Sequence, residues 1–472
     1  MDVVSVRVHA LAIVRVVAIL HVVVVARIML AKALTKTNHY DEDLFDRFLV
    51  SNKPLSLIVQ TYFFSMSKLP IKQESIWKDG NAKEITFIVT KDCQLACRYC
   101  YLVGKNSNER MSWETAKAAI DYILDNEDDL MFSQDSVVLD FIGGEPLIEI
   151  DLIDKICDYF KLELYRRNHR WFNSYRFGFA TNGLNYHTPK VQEFIKKNRT
   201  HLSVVITIDG NKILHDTNRV YKGSEKGSYD DVVKNIPLWL SQFEDGATKV
   251  TISTENIDYI TESVLHLFSL GIHDVNINCV FENVWKEGDD TRLEKQLMKL
   301  ADIMIDNDLY IENRCSFFWE ELGKPLDPIL ENQSWCGAGK MLSIDSAGNF
   351  YPCTRFAGYS LRSKKPIIIG NIKDGIDKNK LRPFLTLDRT TQSNQECIDC
   401  EVASGCAWCQ GENYDAAETT TVFQRSTAIC KMHKARVRAN NYYWNKLYRK
   451  LEKEGRKEEY NNKHNNPVNP VC

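Results

Sequence analysis

Six short apolar runs recur between positions 84 and 281, and most are followed by a polar loop and a stretch of helical periodicity. They are residues 84–90 (EITFIVT), 136–142 (SVVLDFI), 176–180, 202–208, 249–254 and 274–281. Between them, Ser112 is placed to cap a helix running to Leu124, with Ala116, Ile120, Ile123 and Leu124 on one face. Further helical stretches begin at about Asp151 and cover 190–197, 229–243 and 260–270. Strands alternating with helices over roughly 200 residues predict parallel βα units of an α/β fold, and partly closed barrels are built from such units. In barrels of this kind the reactive groups sit on loops after the C-terminal ends of the strands.

The loops at those positions are unusual. The first is KDCQLACRYCYLVGK, with Cys93, Cys97 and Cys100 spaced C-x3-C-x2-C. The others contain Gly143-Gly144-Glu145-Pro146, Thr181-Asn182-Gly183 and Asp209-Gly210-Asn211. A [4Fe–4S] cluster normally takes four thiolates, so three thiols leave one iron free for a substrate or cofactor. A zinc site with a distant fourth ligand and a chance group of buried thiols are the plainer alternatives, although structural zinc prefers repeated C-x2-4-C pairs. The chain has 14 cysteines in 472 residues. Ten fall in two groups, at 93–100 and 336–430, whereas a disulfide-stapled secreted protein is small and scatters its cysteines. Grouping in a long chain favours metal ligation. A net charge of −3 argues against nucleic acid as a partner, and 44% hydrophobic residues suffice for a sizeable core.

With its C-x3-C-x2-C after the first strand, the chain resembles the radical S-adenosylmethionine (SAM) enzymes. The resemblance implies a partial (β/α)6 TIM-like barrel. It also implies a cluster on Cys93, Cys97 and Cys100 whose open iron chelates SAM, and radical chemistry begun by reductive cleavage of SAM. Tyr99 then matches the aromatic that packs on adenine. Gly143, Gly144 and Glu145 match the turn that holds the methionyl amine, the glycines letting backbone approach the ligand. Thr207 matches a hydroxyl offered to the ribose, and Arg219 in HDTNR matches an arginine for the methionyl carboxylate. Singly, each has a bland reading as a turn, a β-former or a surface charge. Their order after the cysteines is what argues for the site.

Seven later cysteines resemble the SPASM extension with two auxiliary clusters. The resemblance assigns Cys336, Cys353 and Cys409 to a proximal cluster and Cys397, Cys400, Cys406 and Cys430 to a distal one. The chain has C-x2-C-x5-C-x2-C where the family has one residue more before its last cysteine, which affects Cys409. The fourth proximal position is left open or filled by a residue such as Cys315. A zinc ribbon is the alternative for the short C-x2-C pairs. Cys157 and Cys279 lie in apolar segments and read as core.

SPASM enzymes mostly modify peptides. Sulfatase maturases carry an acid after the second SPASM cysteine, where this chain has Thr354, a hydroxyl that is not ionised at neutral pH. Overall likeness points to the maturases of CXXX-repeat peptides. It implies a cysteine-repeat precursor peptide, thioether products, three clusters and a low-potential donor of the flavodoxin or ferredoxin type. Sulfatase maturation is the alternative, and an iron–sulfur electron carrier or scaffold is the non-enzyme alternative.

The expected organisation is an atypical hydrophobic and basic segment at 1–38, an extension at 39–83, the barrel at 84–310, a SPASM domain at 311–432, and a basic helix with a disordered tail at 433–472. The first segment loosely imitates a secretory signal, but Arg15 and Arg27 sit in or beside its apolar run. A start codon assigned upstream of Met29 is another explanation. The apolar run at 16–26 is too short to cross a bilayer, and the expectation is a cytoplasmic protein with no membrane or nucleic-acid partner. The basic, aromatic stretch at 433–457 is either a solvated helix face or a surface for an acidic leader peptide.

Overall fold

The computed structural model describes residues 82–325, 336–458 and 460. The expectations for 1–81 and for the tail beyond 460 lie outside the described residues. The strands are β1 (Ala82–Thr90), β2 (Ser136–Gly143), β3 (Tyr175–Thr181), β4 (Leu202–Ile206), β5 (Ala247–Ile252) and β6 (Asp274–Cys279). They are followed by β7 (Arg314–Cys315), β8 (Leu342–Ile344), β9 (Asn349–Tyr351), β10 (Gly370–Asn371) and β11 (Gly375–Ile376). The helices of the first part are α1 (Trp113–Asp125), α2 (Ile150–Arg166), α3 (Pro189–Asn198), α4 (Lys212–Asn218), α5 (Tyr229–Val232), α6 (Ile236–Gln242), α7 (Ile260–Ser269) and α8 (Asp289–Asp306). Those of the second part are α9 (Lys378–Thr386), α10 (Arg389–Gln392), α11 (Gln395–Ile398), α12 (Gln410–Ala416) and α13 (Cys430–Glu454).

All six expected strands form, and β1 to β4 are parallel neighbours in order. Their register puts Phe87 opposite Phe141 and Leu139 opposite Phe177. The rings of Phe87, Phe141 and Phe177 follow one another at 6.1 and 6.5 Å, forming an aromatic spine across the strands. α1 starts as the sequence predicts, with the Ser112 hydroxyl accepting from the Thr115 N–H at 3.0 Å. The single helix expected over 229–243 is instead α5, a 3-10 turn and α6. Pro237, in the first turn of α6, has no N–H to continue a helix from α5.

The parallel strands form two sheets, not one ladder. β5, β6 and β7 make a separate three-stranded sheet. Across the seam, the Thr248 hydroxyl donates to the Ile206 carbonyl (2.8 Å) and accepts from the Ile208 N–H (3.2 Å). Asp209 accepts from the Thr251 N–H at 3.1 Å. Side chains stand where backbone rungs would complete a ladder.

The second part extends the first sheet, in the order β11-β10-β9-β8-β1-β2-β3-β4. β8 pairs with β1 in parallel, with Ile344 opposite Phe87. β1 is therefore covered on both edges, which suits a strand buried along most of its length. At its start the Lys83 ammonium, 1% exposed, donates to the Lys340 carbonyl, and burial lowers its pKa to about 7.

The C-terminal helix α13 returns to α8. Arg438 pairs with Glu294, Lys446 with Asp302 and Asp306, and Lys450 with Asp308. Phe318 and Tyr443 stack at 4.3 Å beside these pairs. Much of the basic stripe is thus matched by an acidic helix of the same chain. Among the described residues no helix is long and apolar enough to cross a membrane.

Candidate functional site

The cysteine loop leaves β1 and is held along its length by the segment after α4. The Lys222 N–H donates to the Gln94 carbonyl at 2.9 Å. The Ala96 and Arg98 N–H groups donate to Val220 and Asn218 at 2.8 and 3.0 Å. Cys93 is buried, and Cys97 and Cys100 are half-buried. Burial pushes the Cys93 thiol up to about 11 and raises Cys97, while Lys105 pulls both down and Arg219 pulls Cys97 down. The charge of Cys97 adds to the rise at Cys93, and that of Cys100 adds to the rise at Cys97. Raised in this way, the Cys93 and Cys97 thiols stay protonated until a metal takes their protons.

The GGEP turn is tied to this loop. The Gly144 and Glu145 N–H groups donate to the Thr90 and Asp92 carbonyls at 3.0 and 2.8 Å. A Cβ at Gly143 would stand 2.3 Å from the Thr90 oxygen, and one at Gly144 2.2 Å from the Asp92 oxygen. The glycine pair therefore has a nearer reason than ligand approach: it lets the turn lie against the cysteine loop. Glu145 is 1% exposed. Its carboxylate accepts from the Thr181 hydroxyl (2.6 Å), the Asn182 N–H (2.7 Å) and the Leu147 N–H (3.1 Å). A carboxylate has about four acceptor positions, so one remains. Asn182 reaches on to Gln94 at 3.0 Å and lies 3.9 Å from the Cys93 sulfur.

Tyr99, Asp209 and Arg219 form the opposite wall. The Tyr99 hydroxyl donates to Asp209 and accepts from the Arg219 guanidinium at 2.9 Å. Arg219 is 6% exposed, and its Nε is buried with no hydrogen-bond partner. His215 accepts the Asp209 N–H at Nδ1, so its Nε2–H donates to Ser228, whose hydroxyl donates to the Arg219 carbonyl. Thr207 lies one residue beyond β4, half-buried, its N–H donating to the Thr181 carbonyl at 2.9 Å. Sequence reasoning missed Asp209, His215, Asn182 and Lys105. Asp209 and His215 stand inside the quoted DGN and HDTNR motifs, where one residue or none was assigned a role.

The donor set fits a cluster and SAM. Three grouped thiols, one spare acceptor on Glu145 and an unpaired, buried Arg219 Nε suit an iron site, an amine and a carboxylate.

Two further thiol groups form. Burial pushes the Cys353 thiol well up, and Cys336 and Cys409 add to the effect. The Cys409 sulfur accepts from the Glu412 N–H at 3.5 Å, capping α12. Burial raises the hydroxyl of Tyr101, next to Cys100, to about 12, with Cys100 and Cys353 adding to the shift. The Arg355 guanidinium lies 4.1 Å over its ring and pairs with Glu282 at 2.6 Å. Cys315, offered as a fourth proximal ligand, sits on β7 beside Arg436 and Asp274. Cys397, Cys400, Cys406 and Cys430 line a cavity with Arg425 and His433. Among the described residues no three or more His, Cys, Asp or Glu are arranged to hold a single metal ion.

The family described as "4Fe-4S single cluster domain" matches residues 79–229. The chain is 28% identical over 305 residues to an uncharacterized protein of Methanocaldococcus jannaschii, covering 64% of this chain and 91% of that one. It is 21% identical over 342 residues to the radical SAM cyclopropyl synthase TigE of Paramaledivibacter caminithermalis, covering 69% and 67%. Its fold is similar to that of anSMEcpe with bound AdoMet (TM-score 0.59, 18% identity, 79% of this chain and 99% of that one). It is also similar to Streptococcus suis SuiB bound to precursor peptide SuiA (TM-score 0.51, 14% identity, 83% of each). The cysteine loop, the wall facing it and these relatives support a radical SAM enzyme with a [4Fe–4S] cluster and S-adenosylmethionine, in the fold shared with anSMEcpe and SuiB.

Proposed function

We propose that the enzyme forms thioether crosslinks in a cysteine-rich, ribosomally made peptide, in the cytoplasm and with a low-potential flavodoxin or ferredoxin as donor. In this reading Cys93, Cys97 and Cys100 hold the SAM cluster, Cys336, Cys353 and Cys409 the proximal cluster, and Cys397, Cys400, Cys406 and Cys430 the distal one. The barrel spans 84–310 and the SPASM domain 311–432. Arg219 Nε and the spare Glu145 oxygen position meet the methionyl carboxylate and amine, the Tyr99 ring meets adenine, and Thr207 meets ribose.

One observation carries the reading. The guanidinium of Arg355, two residues after Cys353, lies 4.1 Å over the ring of Tyr101, next to Cys100, which supports a three-thiol site beside the SAM loop. A metal left with an open position there would bind a substrate thiol and remove its proton. SAM and its cluster, when bound, supply hydrogen-atom abstraction. The substrate carbon gives up a hydrogen atom, the thiol a proton and the pair one electron as the C–S bond closes. Similarity to SuiB bound to its precursor peptide supports a peptide substrate. Thr354 weighs against sulfatase maturation, because it lacks an ionisable acid.

The test is co-expression with a cysteine-repeat peptide, with and without the triple Cys93→Ala, Cys97→Ala, Cys100→Ala variant, followed by thiol alkylation and mass measurement. Loss of two hydrogens and one alkylatable thiol per site, resistant to reductant and dependent on the three cysteines, supports thioether formation. Loss of two hydrogens with every thiol retained points to carbon–carbon closure of the kind TigE's name describes. An unmodified peptide beside active SAM cleavage reopens sulfatase maturation.

A further inference from the structure

The cavity lined by Cys397, Cys400, Cys406 and Cys430 differs from the other thiol groups in the charges around it. The Arg425 guanidinium donates to the Cys406 sulfur at 3.2 Å and to the Ser393 hydroxyl at 3.2 Å, and lies 4.8 Å from the Trp408 ring. No carboxylate among the described residues is within ion-pair distance of it. The contrast is with Arg355 beside Cys409, whose charge is offset by Glu282 at 2.6 Å and Glu412 at 3.9 Å. Arg219 beside Cys97 is likewise offset by Asp209.

A cluster on four thiolates is anionic and gains one more negative charge on reduction. Nearby positive charge and N–H donors to sulfur stabilise the reduced form, which raises the reduction potential. Desolvated surroundings strengthen that effect. We propose that Arg425 sets the reduction potential of the distal cluster, holding it above the value its four thiolates would give alone. The distal site thereby becomes able to accept the single electron that C–S bond closure releases. This rests on the distal-cluster assignment made above.

The test is a potentiometric titration of the reconstituted full chain, followed by electron paramagnetic resonance. The distal signal is identified by its loss in the Cys397→Ala, Cys400→Ala double variant, together with one cluster's share of iron and sulfide. Arg425→Gln is expected to move that signal's midpoint to lower potential and leave the other midpoints in place. Arg425→Lys, which keeps the charge but loses the planar fork, is expected to fall between. If Arg425→Gln empties the site, Arg425→Met, which removes the charge and every donor, takes its place: a midpoint equal to the unmodified enzyme's overturns the proposal. An unmoved midpoint in a fully loaded Arg425→Gln protein overturns it as well. If the double cysteine variant keeps its full iron, the distal-cluster assignment itself fails and the inference falls with it.

Discussion

Gly144 shows how little space the site leaves at the level of single residues. A methyl there would stand 2.2 Å from the Asp92 oxygen and 2.8 Å from the Cys93 Cβ, so the cysteine loop has to move. Gly144→Ala is expected to cost about 1–3 kcal/mol of stability and to lower the iron and sulfide bound per chain, read after reconstitution. Arg219 makes a different kind of contact. Its buried, unpaired Nε awaits an acceptor, and a hydrogen bond to a charged group contributes about 1.5–3 kcal/mol. Arg219→Lys, which loses the fork, is expected to weaken SAM binding about 10- to 100-fold by equilibrium dialysis. Residue types and order announced these positions. Their partners were not visible, because Glu145 meets Thr181 and Asn182 only once β2 and β3 lie side by side.

At the level of elements, the loop after β4 and helix α4 behave as one bracket around Arg219. His215, fully buried, accepts from Asp209 and supports Arg219 through Ser228. Burial, then the charges of Arg219 and Lys212, hold its pKa well below 6.5, so it is neutral in the fold. The unfolded chain takes up a proton below about pH 6.5 while the folded chain does not. Stability from this group is therefore complete above that pH and falls as pH drops, by up to about 1.4 kcal/mol per unit. Urea midpoints at pH 5 and pH 7.5 are expected to differ more for the unmodified enzyme than for His215→Gln. Strand and cap positions were legible here because periodicity and the Ser112 cap are encoded by near neighbours. The bracket was not, since its bonds join segments whose spacing says nothing of hydrogen-bond partners.

For the whole molecule, the C-terminal helix α13 and helix α8 are one packed pair. The Phe318–Tyr443 stack ties α13 to the 3-10 turn after β7, and Tyr443→Ala is expected to cost about 3–5 kcal/mol, seen as a lower urea midpoint. The ion pairs beside it are partly exposed, so each contributes only about 0.2–1 kcal/mol. Arg438→Ala with Lys446→Ala is therefore expected to leave peptide modification unchanged. A marked rise in KM for the precursor would restore the idea of a leader-binding surface.

The sequence by itself determined the α/β rhythm, the cap of α1 and the C-x3-C-x2-C loop, because each depends on residues close together in the chain. Only the tertiary structure decided that β8 closes against β1, that side chains bridge the seam between β4 and β5, and that the basic helix spends much of its charge on α8. Those outcomes depend on which surfaces remain to be covered once the strands and helices have formed. Burial and pairing across long loops settle that, and no local pattern records it.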